Sequence, residues 1–299
     1  MSFAAQVKTE LCKIPIEQEK CALAELCGIT LFAQAFDARG LRIVTGSAEF
    51  AGRISKLFKL LFGFDFDKKI TPLGTPKKFS LIIQNRDKLA VLYDAFGFDL
   101  ETTHIIRLNA ALVEDDRTRA AFLRGVFLAG GSVSDPETAY HMEFVTSHYQ
   151  LSREILALLP EVEIQAKCVT RKGNYVIYLK ESRMIEDMLT LIGAPISAMH
   201  MMETKMYKEL RNSINRKNNF ENANFMKMLD TAAGQIAAFE KLDLDALPEK
   251  LREAAQVRID HPDKTMTELC EILGNGVTKS GLNHRFRKLM AMANEGEET

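Results

Sequence analysis

Apolar residues along the first two-thirds of the chain follow two rhythms, a helical one of about 3.6 residues and a strand-like one of two, and the whole sequence of rhythms occurs twice. In the first round Leu23, Leu26, Leu31 and Phe32 predict a helix over residues 19–35. The turn Asp37-Ala38-Arg39-Gly40 leads into alternating residues 41–45, a predicted strand. Ile54, Leu57, Phe58 and Leu61 then predict an amphipathic helix over 48–62. A hairpin is predicted from 64–70 and 79–83 around a Pro- and Gly-containing turn at 71–76, followed by a helix over 87–96 stopped by Gly97. The second round repeats the order. A helix over 116–129 is broken by Gly130-Gly131, and strands at 132–133 and 140–145 flank Asp135-Pro136. A helix over 149–159 carries Leu151, Ile155 and Leu158 on one face; a hairpin joins 162–170 to 175–180 across Arg171-Lys172-Gly173-Asn174; and a helix over 183–192 stops at Gly193.

The match extends below the level of elements. Leu41-Arg42-Ile43-Val44-Thr45-Gly46-Ser47 corresponds to Met142-Glu143-Phe144-Val145-Thr146-Ser147-His148, and Phe79-Ser80-Leu81-Ile82-Ile83-Gln84 to Tyr175-Val176-Ile177-Tyr178-Leu179-Lys180. Leu26-Cys27-Gly28-Ile29-Thr30-Leu31-Phe32-Ala33-Gln34 likewise matches Leu123-Arg124-Gly125-Val126-Phe127-Leu128-Ala129-Gly130-Gly131. A glycine at the third position of each segment lets two helices approach closely, so the pair predicts the central seam of a pseudo-symmetric domain. Antiparallel pairs carrying helices on one face make the class α+β.

This αββαββα order with Leu-x-Gly helices resembles the single-chain, two-repeat form of the LAGLIDADG homing endonuclease fold. The resemblance implies two motif helices at the domain centre and two sheets forming a saddle for DNA. It also implies an acidic residue at motif position eight that holds divalent metal against a phosphodiester. This chain has Ala33 and Gly130 there, and neither ligates a hard cation. Glu25, Asp37 and Asp135 lie nearby, but a shift of several residues turns a side chain to another face or past the helix end. A displaced-acid nuclease would have to use Asp37 and Asp135, and the expectation is no catalytic residues, no metal and no cofactor.

The last third changes character. Residues 203–246 predict a polar helical linker containing Arg211-Asn212-Ser213-Ile214-Asn215-Arg216-Lys217-Asn218-Asn219. Such a segment can hydrogen-bond phosphates and base edges through Arg211, Asn215 and Arg216, or it can be a solvated hinge. From residue 247 a three-helix unit is predicted. Pro248 suits a first helical position, with Leu251, Ala254, Ala255 and Ile259 on an apolar side that ends near His261-Pro262. Thr265-Met266-Thr267-Glu268 fits a capping box, with Leu269, Ile272 and Leu273 facing inward. Gly274-Asn275-Gly276 makes a turn, and a last helix over 278–292 buries Leu282, Phe286 and Leu289.

That spacing is helix-turn-helix. The last helix carries cations and no acid, and Thr278, Lys279, Ser280, Asn283, His284, Arg285, Arg287 and Lys288 are the predicted DNA-contacting residues. Their local charge matters because the chain as a whole, at 299 residues and a net charge of −1, has no global field to pull it onto nucleic acid.

The degenerate repeat, the Asn-Arg segment and Thr278-Lys279-Ser280-Gly281-Leu282-Asn283-His284-Arg285 together resemble the WhiA family of Gram-positive bacteria, over nearly the whole chain. The resemblance implies a degenerate LAGLIDADG-like domain at 1–202, a linker at 203–246 and a helix-turn-helix domain at 247–299, similar to the promoter-reading part of sigma factors. It implies a non-enzymatic DNA-binding regulator of transcription, linked to sporulation in some bacteria and to cell division and chromosome segregation in others. Double-stranded DNA is the expected partner, with an RNA polymerase sigma subunit or another regulator as a further one and no small-molecule substrate. An alternative is an adaptor whose repeat domain binds a partner of the division or transcription machinery.

Composition narrows the setting. No apolar run approaches the roughly 20 residues that span a bilayer, and residues 1–8 lack a charged leader before an apolar core, so neither a membrane anchor nor a signal peptide is expected. Five cysteines, Cys12, Cys21, Cys27, Cys168 and Cys270, show no Cys-x-x-Cys spacing and are expected as thiols. The expected location is the cytoplasm, on the nucleoid.

Overall fold

The computed structural model describes residues 1–70, 78–102, 107–274 and 276–295. The chain divides into two compact units, Met1–Tyr207 and Lys208–Thr299.

In the first unit the predicted repeat is present with matching topology. Round one is α2 (Glu19–Leu31), β1 (Ala35–Asp37), β2 (Gly40–Thr45), α3 (Ala48–Phe62), β3 (Lys68–Ile70), β4 (Phe79–Ile83) and α4 (Arg86–Ala95). Round two is α5 (Asp116–Gly130), β5 (Gly131–Val133), β6 (Met142–Thr146), α6 (Tyr149–Leu158), β7 (Lys167–Arg171), β8 (Asn174–Leu179) and α7 (Ser182–Ile192). Each round builds one antiparallel four-stranded sheet, ordered β1-β2-β4-β3 and β5-β6-β8-β7. The registers also correspond. Leu41 faces Ile83 and Thr45 faces Phe79 in one sheet; Met142 faces Leu179 and Thr146 faces Tyr175 in the other. The sequence matches noted above are therefore matches of register as well as of composition.

The centre is the α2–α5 seam. A Cβ on Gly28 would run into the carbonyl of Phe122 and lie 2.9 Å from the Val126 nitrogen; one on Gly125 would run into the carbonyl of Glu25 and lie 3.0 Å from the Ile29 nitrogen. The two glycines thus let backbone pack on backbone, with Leu26, Ile29, Phe122 and Val126 fully buried around them.

Three boundaries differ clearly from the sequence expectation. The first motif helix ends at Leu31, and Ala35 already belongs to β1. Only Lys68–Ile70 of the predicted strand 64–70 pairs, because Phe64 and Phe66 turn inward onto Phe58, at ring-centroid distances of 6.1 and 4.7 Å. Val162 closes a short 3-10 turn, Leu159–Val162, and pairing starts at Lys167. The turn predicted at 71–76 lies outside the described residues. The Arg171–Asn174 hairpin is as predicted, with Lys172 and Gly173 at φ +50° and +79°, the geometry of a two-residue turn with both central residues left-handed.

One helix was not read from the sequence at all. α1 (Phe3–Cys12) is capped by Ser2 and buries Phe3, Val7 and Leu11, spaced one turn apart. On it, the half-buried Lys8 places Nζ 5.8 Å from the Phe127 ring centroid, and burial lowers its pKa from 10.5 to about 8. Between those values the unfolded chain holds a proton that the folded chain has lost, so this group's stability penalty is present below pH 8 and disappears as pH rises to 10.5. Lys8→Met is accordingly expected to stabilise the first unit by about 1–2 kcal/mol at pH 7. Urea midpoints should converge with wild type near pH 10.5; a difference that stays constant with pH would show that Lys8 is not the source.

α8 (Pro195–Phe239) begins in the first unit and ends in the second. Its start is fixed by Pro195 and by Glu10, whose carboxylate accepts from the free N–H groups of Ile196 and Ser197 at 2.8 and 3.0 Å. Its end places Ala238 and Phe239 in the second unit's core, with α9 (Glu249–Asp260), α10 (Met266–Leu273) and α11 (Lys279–Glu295). The predicted capping box closes α10: Thr265 Oγ1 accepts from the Glu268 N–H at 3.3 Å, and Glu268 Oε2 from the Thr265 N–H at 2.7 Å. Leu269, Leu282, Phe286 and Leu289 are buried as expected, whereas Ile272 faces outward, 48% exposed. α10 has only two turns, and its buried side is taken by Leu269 with Met266 and Leu273 partly buried beside it.

Candidate nucleic-acid interface

Helix α11 follows a turn whose two described glycines, Gly274 and Gly276, sit at φ +62° and +68°, where a side chain would be strained. Thr278 then caps the helix, its hydroxyl accepting from the Gly281 N–H at 3.2 Å. Leu282, Phe286 and Leu289 anchor one side. The helical repeat places Ser280, Asn283, His284, Arg287 and Lys288 on the opposite arc of about 140°, and all five are exposed. Lys279 is exposed at the flank, one turn before Asn283. Arg285 stands apart: it is half-buried, and its Nη1 donates to the Lys250 carbonyl at 3.3 Å. Of the eight predicted contact residues, the structure therefore gathers six on one solvent-facing side of α11, gives Thr278 a capping role and turns Arg285 onto α9.

The motif-helix ends in the first unit are a different kind of surface. Ala33 lies just past α2, and Gly130 closes α5. Neither side chain offers an oxygen, and a Cβ at Gly130 would lie 2.5 Å from Phe32 Cδ1 and 3.0 Å from the Val145 carbonyl. An aromatic ring packs where a metal-ligating carboxylate would project. The nearby acids are committed elsewhere. Glu25 is buried against Arg53, Asp37 accepts from Arg39 Nη2 at 2.7 Å, and Asp135 accepts from the Glu137 N–H at 2.9 Å. The residues at this position do not fit a divalent-metal site.

Comparison with known proteins finds matches in both units. The WhiA LAGLIDADG-like domain matches residues 119–211, and the WhiA C-terminal HTH domain matches 214–293. A protein named probable cell division protein WhiA from Clostridium novyi (strain NT) is 35% identical over 311 residues, covering 99% of this chain and 98% of its own. Its namesake from Ruminiclostridium cellulolyticum is 37% identical over 305 residues, covering 98% of this chain and 97% of its own. This chain belongs to the WhiA family. Full-length WhiA from Thermotoga maritima shares the fold in its crystal structure, with a TM-score of 0.63 at 22% identity over 99% of both chains.

In this WhiA chain Arg211, Asn215 and Arg216 are all exposed on α8. Arg211 and Asn215 are one turn apart and share a face, while Arg216 projects about 100° away from Asn215. The segment is less polar than its asparagines suggest, because Leu210, Ile214 and Phe220 are exposed on the same helix.

Two buried clusters escaped the sequence reading. In the first unit, Arg53 donates from Nη2 to Glu25 Oε2 at 2.8 Å, and Arg124 places Nε 3.3 Å from the same oxygen without a hydrogen bond. Burial pulls the Arg124 pKa down, and the Glu25 charge opposes it. In the second unit Arg258 is 2% exposed and stacks 5.5 Å from the Phe286 ring centroid. Here a signal existed: Leu251, Ala254, Ala255 and Arg258 follow i, i+3, i+4, i+7, so an arginine occupies a core position of the apolar stripe.

Proposed function

We propose that this WhiA protein is a non-enzymatic, DNA-binding regulator that reads duplex DNA with helix α11. The observation that carries the reading is the exposed arc of Ser280, Asn283, His284, Arg287 and Lys288, on a helix anchored in the second unit's core by Leu282, Phe286 and Leu289. Its donors suit base edges, and its cations suit flanking phosphates. Arg211, Asn215 and Arg216 are proposed as additional backbone contacts. Relatives carry the name probable cell division protein, which supports a role in cell division; control of transcription, chromosome segregation and, elsewhere in the family, sporulation are the finer roles proposed with it. A cytoplasmic, nucleoid-associated location fits that role, and a sigma subunit is a candidate second partner.

The decisive experiment is duplex binding by the full-length protein as a function of salt. Arg287→Ala/Lys288→Ala is expected to weaken affinity about 10- to 100-fold near 0.1 M salt and to lower the log–log salt slope by about two, one per lost phosphate contact. The thermal midpoint should hold, since both side chains are exposed. Unchanged affinity and slope would instead favour the adaptor reading, in which the repeat domain mainly binds protein. Metal-dependent plasmid cutting that disappears with Asp37→Asn/Asp135→Asn would overturn the non-enzymatic assignment.

A further inference from the structure

We propose that the cleft in the second unit lined by Gln235 of α8, Arg258 of α9 and Lys279 and Asn283 of α11 binds a phosphate group. The cleft has a volume of about 320 Å³. Its polar lining consists of two cations, two side-chain amides and the Thr231 hydroxyl, with no carboxylate. The two cations and two amides can each donate a hydrogen bond, while the Thr231 hydroxyl already donates to the Lys227 carbonyl at 2.8 Å; the summed charge calls for an anion.

Arg258 makes the case specific. A buried guanidinium normally faces a carboxylate, because an unneutralised charge out of water is costly. Arg258 has only neutral partners among the described residues. Nη1 donates to the Lys264 carbonyl at 2.9 Å and the His261 carbonyl at 3.4 Å, and Nη2 contacts Met266 Sδ at 3.7 Å. Its Nε has no partner, and neither does the buried Oε1 of Gln235 on the facing helix. The Gln235 NH2 on the same lining can donate to the anion. The remaining lining, Met266 among it, is apolar and gives a charged guest a low-dielectric wall that strengthens its ion pairs.

The phosphate has two possible sources, the DNA backbone or a free phosphate ester. Lys279 and Asn283 belong both to the cleft and to the helix proposed to read DNA, so a free anion here would compete with or reorganise that helix. The probe is inorganic phosphate titrated into the full-length protein at constant ionic strength, followed by 31P line width and thermal midpoint. Wild type is expected to respond where chloride does not, and Gln235→Leu to weaken the response about tenfold. Arg258→Gln should abolish it. Because that variant loses a buried side chain, Gln235→Leu decides the matter if it unfolds. Duplex affinity of Gln235→Leu separates the sources: a loss assigns the site to backbone phosphate, and no change combined with a phosphate response assigns it to a free ester. If neither phosphate binding nor duplex affinity differs between wild type and Gln235→Leu, the site does not exist. Phosphate binding that persists while Arg287→Ala/Lys288→Ala leaves duplex affinity intact would remove the DNA-reading helix and keep the pocket.

Discussion

Gly125→Ala is expected to cost the first unit at least about 3 kcal/mol, whereas Gly52→Ala should stabilise it by up to about 1 kcal/mol. Both changes add one methyl group to a helical glycine, and in isolation both should help by about 1 kcal/mol, since alanine is the better helix former. They differ in what the methyl meets. At Gly52, on the exposed face of α3, there is nothing within 4 Å. At Gly125 the methyl runs into the Glu25 carbonyl and the Ile29 nitrogen, which are backbone atoms of the partner helix and cannot rotate away. The whole α2–α5 contact has to widen. Overpacking of cores generally costs about 1–3 kcal/mol where side chains can move, and more where they cannot. Gly28→Ala, against Phe122 and Val126, should behave like Gly125→Ala. Urea unfolding followed by far-UV circular dichroism measures all three, and equal midpoints for Gly125→Ala and Gly52→Ala would refute the close-packed seam.

That seam was legible in the sequence, and the reason is physical. A glycine at the third position of two matching apolar helices has few other uses, and the strands around it repeat with the same spacing. Register followed as well, since Leu41 and Met142, or Ile83 and Leu179, hold equivalent core positions in period-two patterns that a one-residue slip would invert. Local chemistry was equally readable where a few adjacent residues suffice, as in the Thr265–Glu268 box. What escaped depends on partners far away in sequence. Nothing near Phe64 and Phe66 says that Phe58 will pull them off a strand, and nothing near Arg285 says that the Lys250 carbonyl will claim it. The site on α11 was legible as a face because helical periodicity alone separates Leu282, Phe286 and Leu289 from the exposed arc. The cleft beside it was not, because it needs three helices in place before Gln235, Arg258 and Lys279 can be seen to share a volume.

The largest single electrostatic effect should come from Glu25→Ala, a loss of about 3–5 kcal/mol. Glu25 is 3% exposed and Arg53 5% exposed, and Arg124 lies largely buried beside them, so one carboxylate serves two guanidinium groups away from water. Removing it strands two like charges together, which is worse than removing either cation. Arg53→Met should cost less, about 1–3 kcal/mol, since Glu25 keeps Arg124 while the Ile14 and Cys12 carbonyls lose a donor. Arg124→Met should be mildest and near neutral, because its Nε makes no hydrogen bond and its departure leaves a balanced Glu25–Arg53 pair. The ordering Glu25→Ala, Arg53→Met, Arg124→Met follows from charge arithmetic, whereas a purely steric view ranks the two long arginines above the shorter glutamate. Urea midpoints of the three variants decide between them. Should Arg124→Met prove the most damaging, the cluster is held by packing of the arginine stems against α2 and not by its single shared carboxylate.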